Sequence, residues 1–354
     1  MRDLDASLAT RAAWLHFAGG LTQADVARRL GLSGLKAHRL IARASQEGLV
    51  KVYVDGDVAE CLDLEARLSD RYGLDYCEVV PDFDQDELPL RALGPAGAQF
   101  LKRQLERGEE VLVGIGHGRT LAASVEHLPR TSAGRTRFVS LLGGITRKFA
   151  ANPHDVIHKL AERTGAEAFV MPVPFFANSI EDRDVLLAQR GVADVLELAR
   201  RADLLFVGIG IVDPAASLVA TGMIEPAEID EIKRNGAVGE LLGHFFDEEG
   251  RTVRTTLSDR TLALAREDLE GRRIVAVAGG RRKVAAIDAV LKSRLPGGLI
   301  TDERTARALA QNDAERADGG GRPRMTAHRG GEESHVREGK GSGPGTRAPE
   351  HLPA

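Results

Sequence analysis

The sequence predicts an α/β protein in which an N-terminal helix-turn-helix of the winged kind precedes a larger α/β domain. Near the start, two short amphipathic helical patterns meet at a glycine, and from about residue 76 apolar strand-like runs alternate with helical ones, the mark of parallel βαβ construction. At 354 residues, 43% hydrophobic and 28% charged, the chain can bury a large core and fold as two units.

Residues 1–56 form the first expected unit. Leu8, Ala12 and Leu15 recur at helical spacing and supply a supporting helix. Thr22 is a good N-cap for a helix running through Gln23 and Val26 to Leu30, and Gly31 supplies the turn. Ser33 then caps a second helix. In it Ala37, Leu40, Ile41 and Ala44 make an apolar face, while Lys36, Arg39 and Arg43 lie on another. At 1.5 Å per residue that helix is about 18 Å long, enough to place several side chains in a major groove of DNA. Arg39 and His38 are placed to read base edges and Lys36 and Arg43 to hold phosphates, with Thr22, Gln23 and Ser33 completing the expected DNA contacts. The competing reading is an ordinary helix pair with a solvated basic face. Charge argues against it: residues 1–56 hold eight Lys or Arg and five Asp or Glu in a chain of net charge −4. Downstream, Leu49–Val54 alternates its valines and is expected to form a short wing.

Residues 57–311 form the second expected unit. Strands are predicted over Tyr76–Pro81, Val111–Gly116, Arg137–Gly143, Ala168–Val173, Leu204–Gly210, Ile274–Gly280 and Leu299–Thr301. Helices are predicted over Ala96–Arg107, Thr120–Leu128, Asp155–Arg163, Arg183–Arg200, Arg260–Leu269 and Arg282–Arg294. Residues 312–354, rich in Gly, Pro, Ser, Arg and Glu and poor in large apolar residues, read as a disordered tail. The two cysteines, Cys61 and Cys77, have no metal-type spacing to histidine, and neither a metal nor a cofactor is expected. A reducing cytoplasm is the simplest setting, and no apolar segment of 18 uncharged residues predicts a membrane span.

Several strands end in glycine, and in open α/β sheets ligands bind beyond the carboxyl ends of strands. The sharpest case is Val113–Leu121, VGIGHGRTL. Its Gly114, Gly116 and Gly118 allow close approach of an anion, and Arg119 and Thr120 add a charge and a hydroxyl. A phosphate or polyhydroxylated ligand suits such a loop. It lacks the Gly-Lys-Ser/Thr of a Walker loop, and its G-x-G-x-G spacing departs from the dinucleotide fingerprint. A tight turn without a ligand remains the plain alternative. Gly143-Gly144, Asp213 beyond Gly208-Ile209-Gly210, and Gly279-Gly280 leading to Lys283 are further candidates for the same pocket.

Taken together, these segments resemble a known family, the SorC/DeoR-type sugar-binding transcriptional regulators. The resemblance is carried by LTQADVARRLGLSGLKAHRLIARA (21–44), GIGHGRTL (114–121), VSLLGG (139–144), VGIG (207–210), GHFFDEEG (243–250), VAVAGGRRKVAAIDAVL (275–291) and GLITDERTARAL (298–309). RAAWL (11–15) and PVPFFAN (172–178) look most like the erythritol-catabolism regulator branch. The resemblance implies an effector domain with the fold of glucosamine-6-phosphate deaminase and ribose-5-phosphate isomerase. It also implies a homo-oligomer, commonly a tetramer built as a dimer of dimers, that binds operator DNA under control of a sugar, polyol or sugar phosphate. Carried over, the effector loop falls on Gly116, His117, Gly118, Arg119 and Thr120, and a second segment on Gly279, Gly280 and Lys283. Gly34, Leu35 and His38 depart from the more polar residues often found in the recognition helix, which leaves the operator sequence open.

Two other classes compete with a regulator that binds its effector without turning it over. A sugar-phosphate isomerase or deaminase with a helical extension would need a positioned carboxylate base. Asp213, Glu240 and Asp247 are available, but their spacing singles out no acid–base pair. An architectural DNA-binding protein would leave the glycine-ended strands without use.

Overall fold

The computed structural model describes residues 4–50, 59–83, 88–107, 109–144, 152 and 155–318. The N-terminal helices form as the sequence predicts. Helix α1 (Leu4–Ala13) runs into a π turn over Trp14–Ala18, α2 spans Gln23–Leu30 and α3 Gly34–Gln46. Thr22 Oγ1 accepts the Asp25 amide at 3.2 Å and Ser33 Oγ accepts the Lys36 amide at 3.3 Å, while Gly31, at φ 65°, closes α2. The helices enclose a core of their own from Ala9, Ala12, Leu15, Val26, Ala27, Ala37, Leu40, Ile41 and Ala44. Five of those nine are alanine, so the helix axes can approach closely. The wing expected over Leu49–Val54 lies, from residue 51 on, outside the described residues.

The strands that follow are β1 (Tyr76–Val80), β2 (Leu112–Ile115), β3 (Arg137–Ser140), β4 (Ala168–Phe169), β5 (Leu204–Val207), β6 (Gly210–Ile211), β7 (Gly239–Leu241), β8 (His244–Phe246), β9 (Thr252–Val253), β10 (Ile274–Val277) and β11 (Gly298–Asp302). Seven of them make one parallel sheet in the order β1-β11-β10-β5-β2-β3-β4. The central strands are buried on both faces. Along β5, Leu204 and Phe206 enter one core while Leu205 and Val207 enter the other, the period of two that a pleated strand imposes.

Helices α5 (Leu90–Glu106), α6 (Arg119–His127) and α7 (Ile157–Thr164) cover the first face through Phe100, Leu121, Val125 and Leu160. Helices α4 (Ala59–Tyr72), α9 (Arg190–Arg200), α12 (Val284–Lys292) and α13 (Glu303–Asp318) cover the second through Leu68, Leu196, Ile287 and Leu309. Shorter helices α8 (Ile180–Leu187), α10 (Ser217–Ala220) and α11 (Pro226–Arg234) lie in the connections.

Two predicted helices are corrected, and two further features lie beyond the expected elements. The helix predicted over Arg183–Arg200 is broken between α8 and α9, where Gln189 is extended at ψ 127° and precedes Gly191. The helix predicted over Arg260–Leu269 is replaced by 3-10 turns at Ser258–Arg260 and Glu267–Leu269 with an extended segment between them. There the Leu262 amide donates to Phe175 O at 2.8 Å and Leu264 to Leu141 O at 3.2 Å, so pairing with distant backbone overrides local helical spacing. Strands β6–β9 form a second, antiparallel sheet that the sequence reading does not contain. Helix α13 continues to Asp318 through good helix formers such as Ala314 and Glu315, past the expected tail boundary at 312; residues 319–354 lie outside the described residues.

Candidate functional site

The strand order reverses between β2 and β5. After β2 the chain builds outward through β3 and β4, then returns to place β5 on the other side of β2. Loops diverge at such a point and leave a crevice above the carboxyl ends of the two strands. A cleft opens there. One wall is Gly116–Leu121, leading from β2 into α6, and a second is Gly208–Ile211, leading from β5 into β6. Ala216, Leu218, Thr221 and Met223, on the segment containing α10, cover it, and Leu142 and Asn152 close another side. Glu240, Leu242 and Lys283 supply the remaining lining.

The α6 end of the cleft is built for an anion. Gly118 sits at φ 122°, a backbone conformation that side-chain-bearing residues rarely adopt, and opens α6 as its N-cap. The first amides of a helix have no intrahelical acceptor and carry the positive end of its dipole. Thr120 is buried beside them and Arg119 is exposed at the rim. His117 packs edge-on against Phe175 with ring centroids 5.0 Å apart, which fixes the loop against the core.

The other end holds two ionisable groups taken out of water. Glu240, on β7, is buried. Its Oε1 accepts the Gly243 amide at 2.6 Å, and its Oε2 lies where a Cβ on Gly210 would collide with it, so glycine at 210 makes room for the carboxylate. Gly243 belongs to the two-residue turn joining β7 to β8, in which Leu242 (φ 51°) and Gly243 (φ 83°) both take positive φ, the signature of a type I′ hairpin. Lys283 is partly buried and its Nζ donates to Ile209 O at 2.6 Å. Burial pushes the Glu240 carboxyl up to about 7, against the pull of the Gly243 amide and of Lys283. Burial and the nearby Arg119 guanidinium push the Lys283 ammonium down to about 8, against the attraction of Glu240.

The structure thus brings together Gly116, His117, Gly118, Arg119, Thr120 and Lys283 from the expected set, and places the others behind or beside the cleft. Gly143 is pressed against the Pro174 carbonyl and Gly144 against Asp155. Gly280 donates to Thr305 Oγ1 at 2.8 Å and to Asp302 Oδ2 at 3.2 Å, so Gly279-Gly280 fixes the turn that presents Lys283. Asp213 pairs with Arg282 at 3.2 Å and lines a neighbouring, open depression. Glu240, Thr221 and Met223 are among the lining residues that the sequence does not assign to an effector. The hairpin turn before GHFF was the available signal for Glu240.

On the helix-turn-helix, Gln23, Leu35, Lys36, His38 and Arg39 are exposed. His38 Nδ1 lies 3.1 Å from Gln23 Oε1, joining α3 to α2. Arg43 pairs with Glu47 at 2.6 Å, and the Thr22 and Ser33 hydroxyls are engaged as caps.

A helix-turn-helix on the same chain as a switch-point cleft defines a class, the transcriptional regulators that carry a ligand-binding α/β domain. The model of the family described as "Putative sugar-binding domain" matches residues 56–311. The erythritol catabolism regulatory protein EryD of Brucella abortus (strain 2308) is 61% identical over 309 residues, 87% of this chain and 98% of that protein. The transcriptional regulator LsrR of Enterobacter sp. (strain 638) is 35% identical over 307 residues, 85% of this chain and 92% of its own. Among solved structures, the full-length sorbitol operon regulator SorC from Klebsiella pneumoniae superposes with a TM-score of 0.62 at 26% identity, covering 87% of this chain and all of that one. The chain belongs to this family of SorC-type transcriptional regulators with a sugar-binding domain. It is a regulator and not an enzyme, which settles the isomerase alternative. Among the described residues no helix is long and apolar enough to cross a membrane.

Proposed function

We propose that the cleft between β2 and β5 is the effector site, and that α3 reads operator DNA under its control. The observation that carries this reading is the convergence of Glu240 and Lys283 with the Gly116–Thr120 loop in one cleft. The carboxylate suits hydroxyl groups, while the loop, Arg119 and Lys283 suit an anion. A short polyol, its sugar or its phosphate matches both ends, and an erythritol-like effector is favoured by the 61% identity to an erythritol catabolism regulator. Residues 1–56 are the DNA-binding domain, 57–311 the effector domain and 312–354 an appended tail. Gln23, Lys36, His38 and Arg39 face DNA, Arg43 joins them once released from Glu47, and Thr22 and Ser33 hold the helix ends. The working unit is a cytoplasmic homo-oligomer, a dimer of dimers, as the family resemblance implies. Effector binding shifts operator affinity only through its preference for one of two arrangements of the paired readers.

The test is thermal unfolding of the purified protein with erythritol, other polyols, sugars and their phosphates, followed by fluorescence anisotropy on operator DNA with the stabilising compound. A stabilising ligand that also changes operator affinity is the expected result. If no such compound stabilises the protein, the effector reading is wrong. Light scattering that finds a monomer would remove the oligomer.

A further inference from the structure

We propose that Lys283 captures carbonyl-bearing effectors covalently, as a reversible imine formed with the open chain of a short α-hydroxy aldehyde or ketose. The proposal rests on the cleft being the effector site and adds a bond to it. The geometry carries it. Lys283 ends the 3-10 turn Arg281–Lys283, with its amide donating to Gly280 O at 2.8 Å, so its backbone is fixed where it enters the cleft. Its Nζ is moored on Ile209 O, and Glu240 Oε2 lies against Gly210, the next residue. An amine and a carboxyl group therefore share one end of a ligand-sized cleft, set against consecutive residues of the segment that leads from β5 into β6. Lys159 and Lys292 differ, since each spends its ammonium on a carboxylate, Glu126 at 3.0 Å and Asp288 at 2.6 Å.

Only the neutral amine attacks a carbonyl carbon. Burial and the Arg119 guanidinium push Lys283 down to about 8. Against an ordinary lysine, that leaves about 300-fold more free amine at neutral pH. The nitrogen lone pair forms the C–N bond and the carbonyl π pair moves to oxygen, giving a carbinolamine. Loss of water then gives the imine. Both nitrogen-bound hydrogens leave with the oxygen, Glu240 being the carboxyl group in the lining of the same cleft that relays them, and nothing is oxidised or reduced. Water reverses each step, so the ligand is released intact.

The full-length protein is incubated with D-erythrose and sodium cyanoborohydride at neutral pH, and adducts are located by intact mass and peptide mapping. One adduct per chain is expected at Lys283, formed about a hundredfold faster than at an exposed lysine such as Lys36. Excess erythritol should slow it, and Lys283→Arg should abolish it. Adducts spread evenly over Lys36, Lys159, Lys233 and Lys283 overturn the proposal, and this arm needs no variant to fold. Stabilisation by D-erythrose with no Lys283 adduct overturns it too, while leaving the effector reading standing. A fast Lys283 adduct without stabilisation by any polyol or sugar removes the effector reading, and with it the capture of an effector by Lys283.

Discussion

Glu240→Gln is expected to make the ligand-free protein more stable above neutral pH while leaving its stability at pH 5 nearly unchanged. Glu240 is 8% exposed, and burial lifts its carboxyl from its ordinary 4.5 to about 7. At 1.36 kcal/mol for each tenfold change in proton affinity, the difference amounts to about 3 kcal/mol against the ionised form. In the unfolded chain the same group ionises near 4.5. From about pH 4.5 to 7 the folded protein therefore holds the extra proton and loses stability as pH rises, and above about 7 the whole cost is present. Glutamine retains an acceptor for the Gly243 amide and carries no charge, so it removes this cost, in which the attraction to Lys283 is already counted. A gain of about 2–3 kcal/mol at pH 8 follows, roughly 4–12 °C in Tm for a domain of this size. Thermal unfolding of both proteins from pH 5 to 8.5 measures it, and the gap should open between pH 5 and 7. A gap that is constant with pH, or a variant less stable than the parent at pH 8, would refute a desolvated carboxyl at 240. The same variant should lose its stabilisation by polyols, because the charge that costs stability is the one proposed above to bind hydroxyls.

Other expectations follow from the same geometry. Gly210→Ala drives a methyl into Glu240 Oε2 and should cost about 1–3 kcal/mol of stability together with effector binding, as read by chemical unfolding and ligand titration; unchanged binding would place the ligand elsewhere. Arg119→Ala should abolish the extra stabilisation given by a phosphorylated ligand over its parent polyol while leaving operator binding intact, and an undiminished difference would strip Arg119 of that role. Lys36→Ala should weaken operator binding about evenly across sequences and lower the salt slope by about one. A variant that instead relaxes preference at one base would make Lys36 a base reader. Tyr72→Phe deletes the 2.6 Å bond from the buried Tyr72 hydroxyl to Asp288 and should cost about 1–3 kcal/mol in chemical denaturation, a neutral result showing that Arg71 and Lys292 satisfy Asp288 between them.

What was legible in the sequence was whatever local patterning controls. The caps at Thr22 and Ser33, the apolar face of α3 and the continuous apolar runs of β2, β5 and β10 depend on near neighbours, and each forms where it is read. Elements governed by distant partners were not legible. Leu262–Leu264 carries helical spacing but is pulled out straight by Phe175 and Leu141. The strands β6–β9 are two or three residues long and draw their stability from pairing and packing. In the cleft, the glycine loop announced itself by composition. Glu240 did not, because a lone carboxylate in an apolar stretch acquires its meaning only from Gly210 and Lys283, which lie far away in sequence. Gly279-Gly280 misleads in the opposite way: its glycines serve the turn held by Asp302 and Thr305, while the side chain that reaches the cleft comes three residues later.

The walls of the cleft come from 116–121, 208–211, 216–223, 240–242 and 283, segments scattered across most of the α/β domain. A molecule seated there acts as a removable cross-link, closing several long loops at once in the folded state and none in the unfolded one. Its binding energy is accordingly distributed over the domain as a whole, so occupancy registers as resistance to global unfolding, growing with the logarithm of ligand concentration. No excised hairpin or βαβ fragment should retain affinity. For a sensor this arrangement is apt, since a small ligand gains purchase on an entire domain only if no single segment can bind it alone.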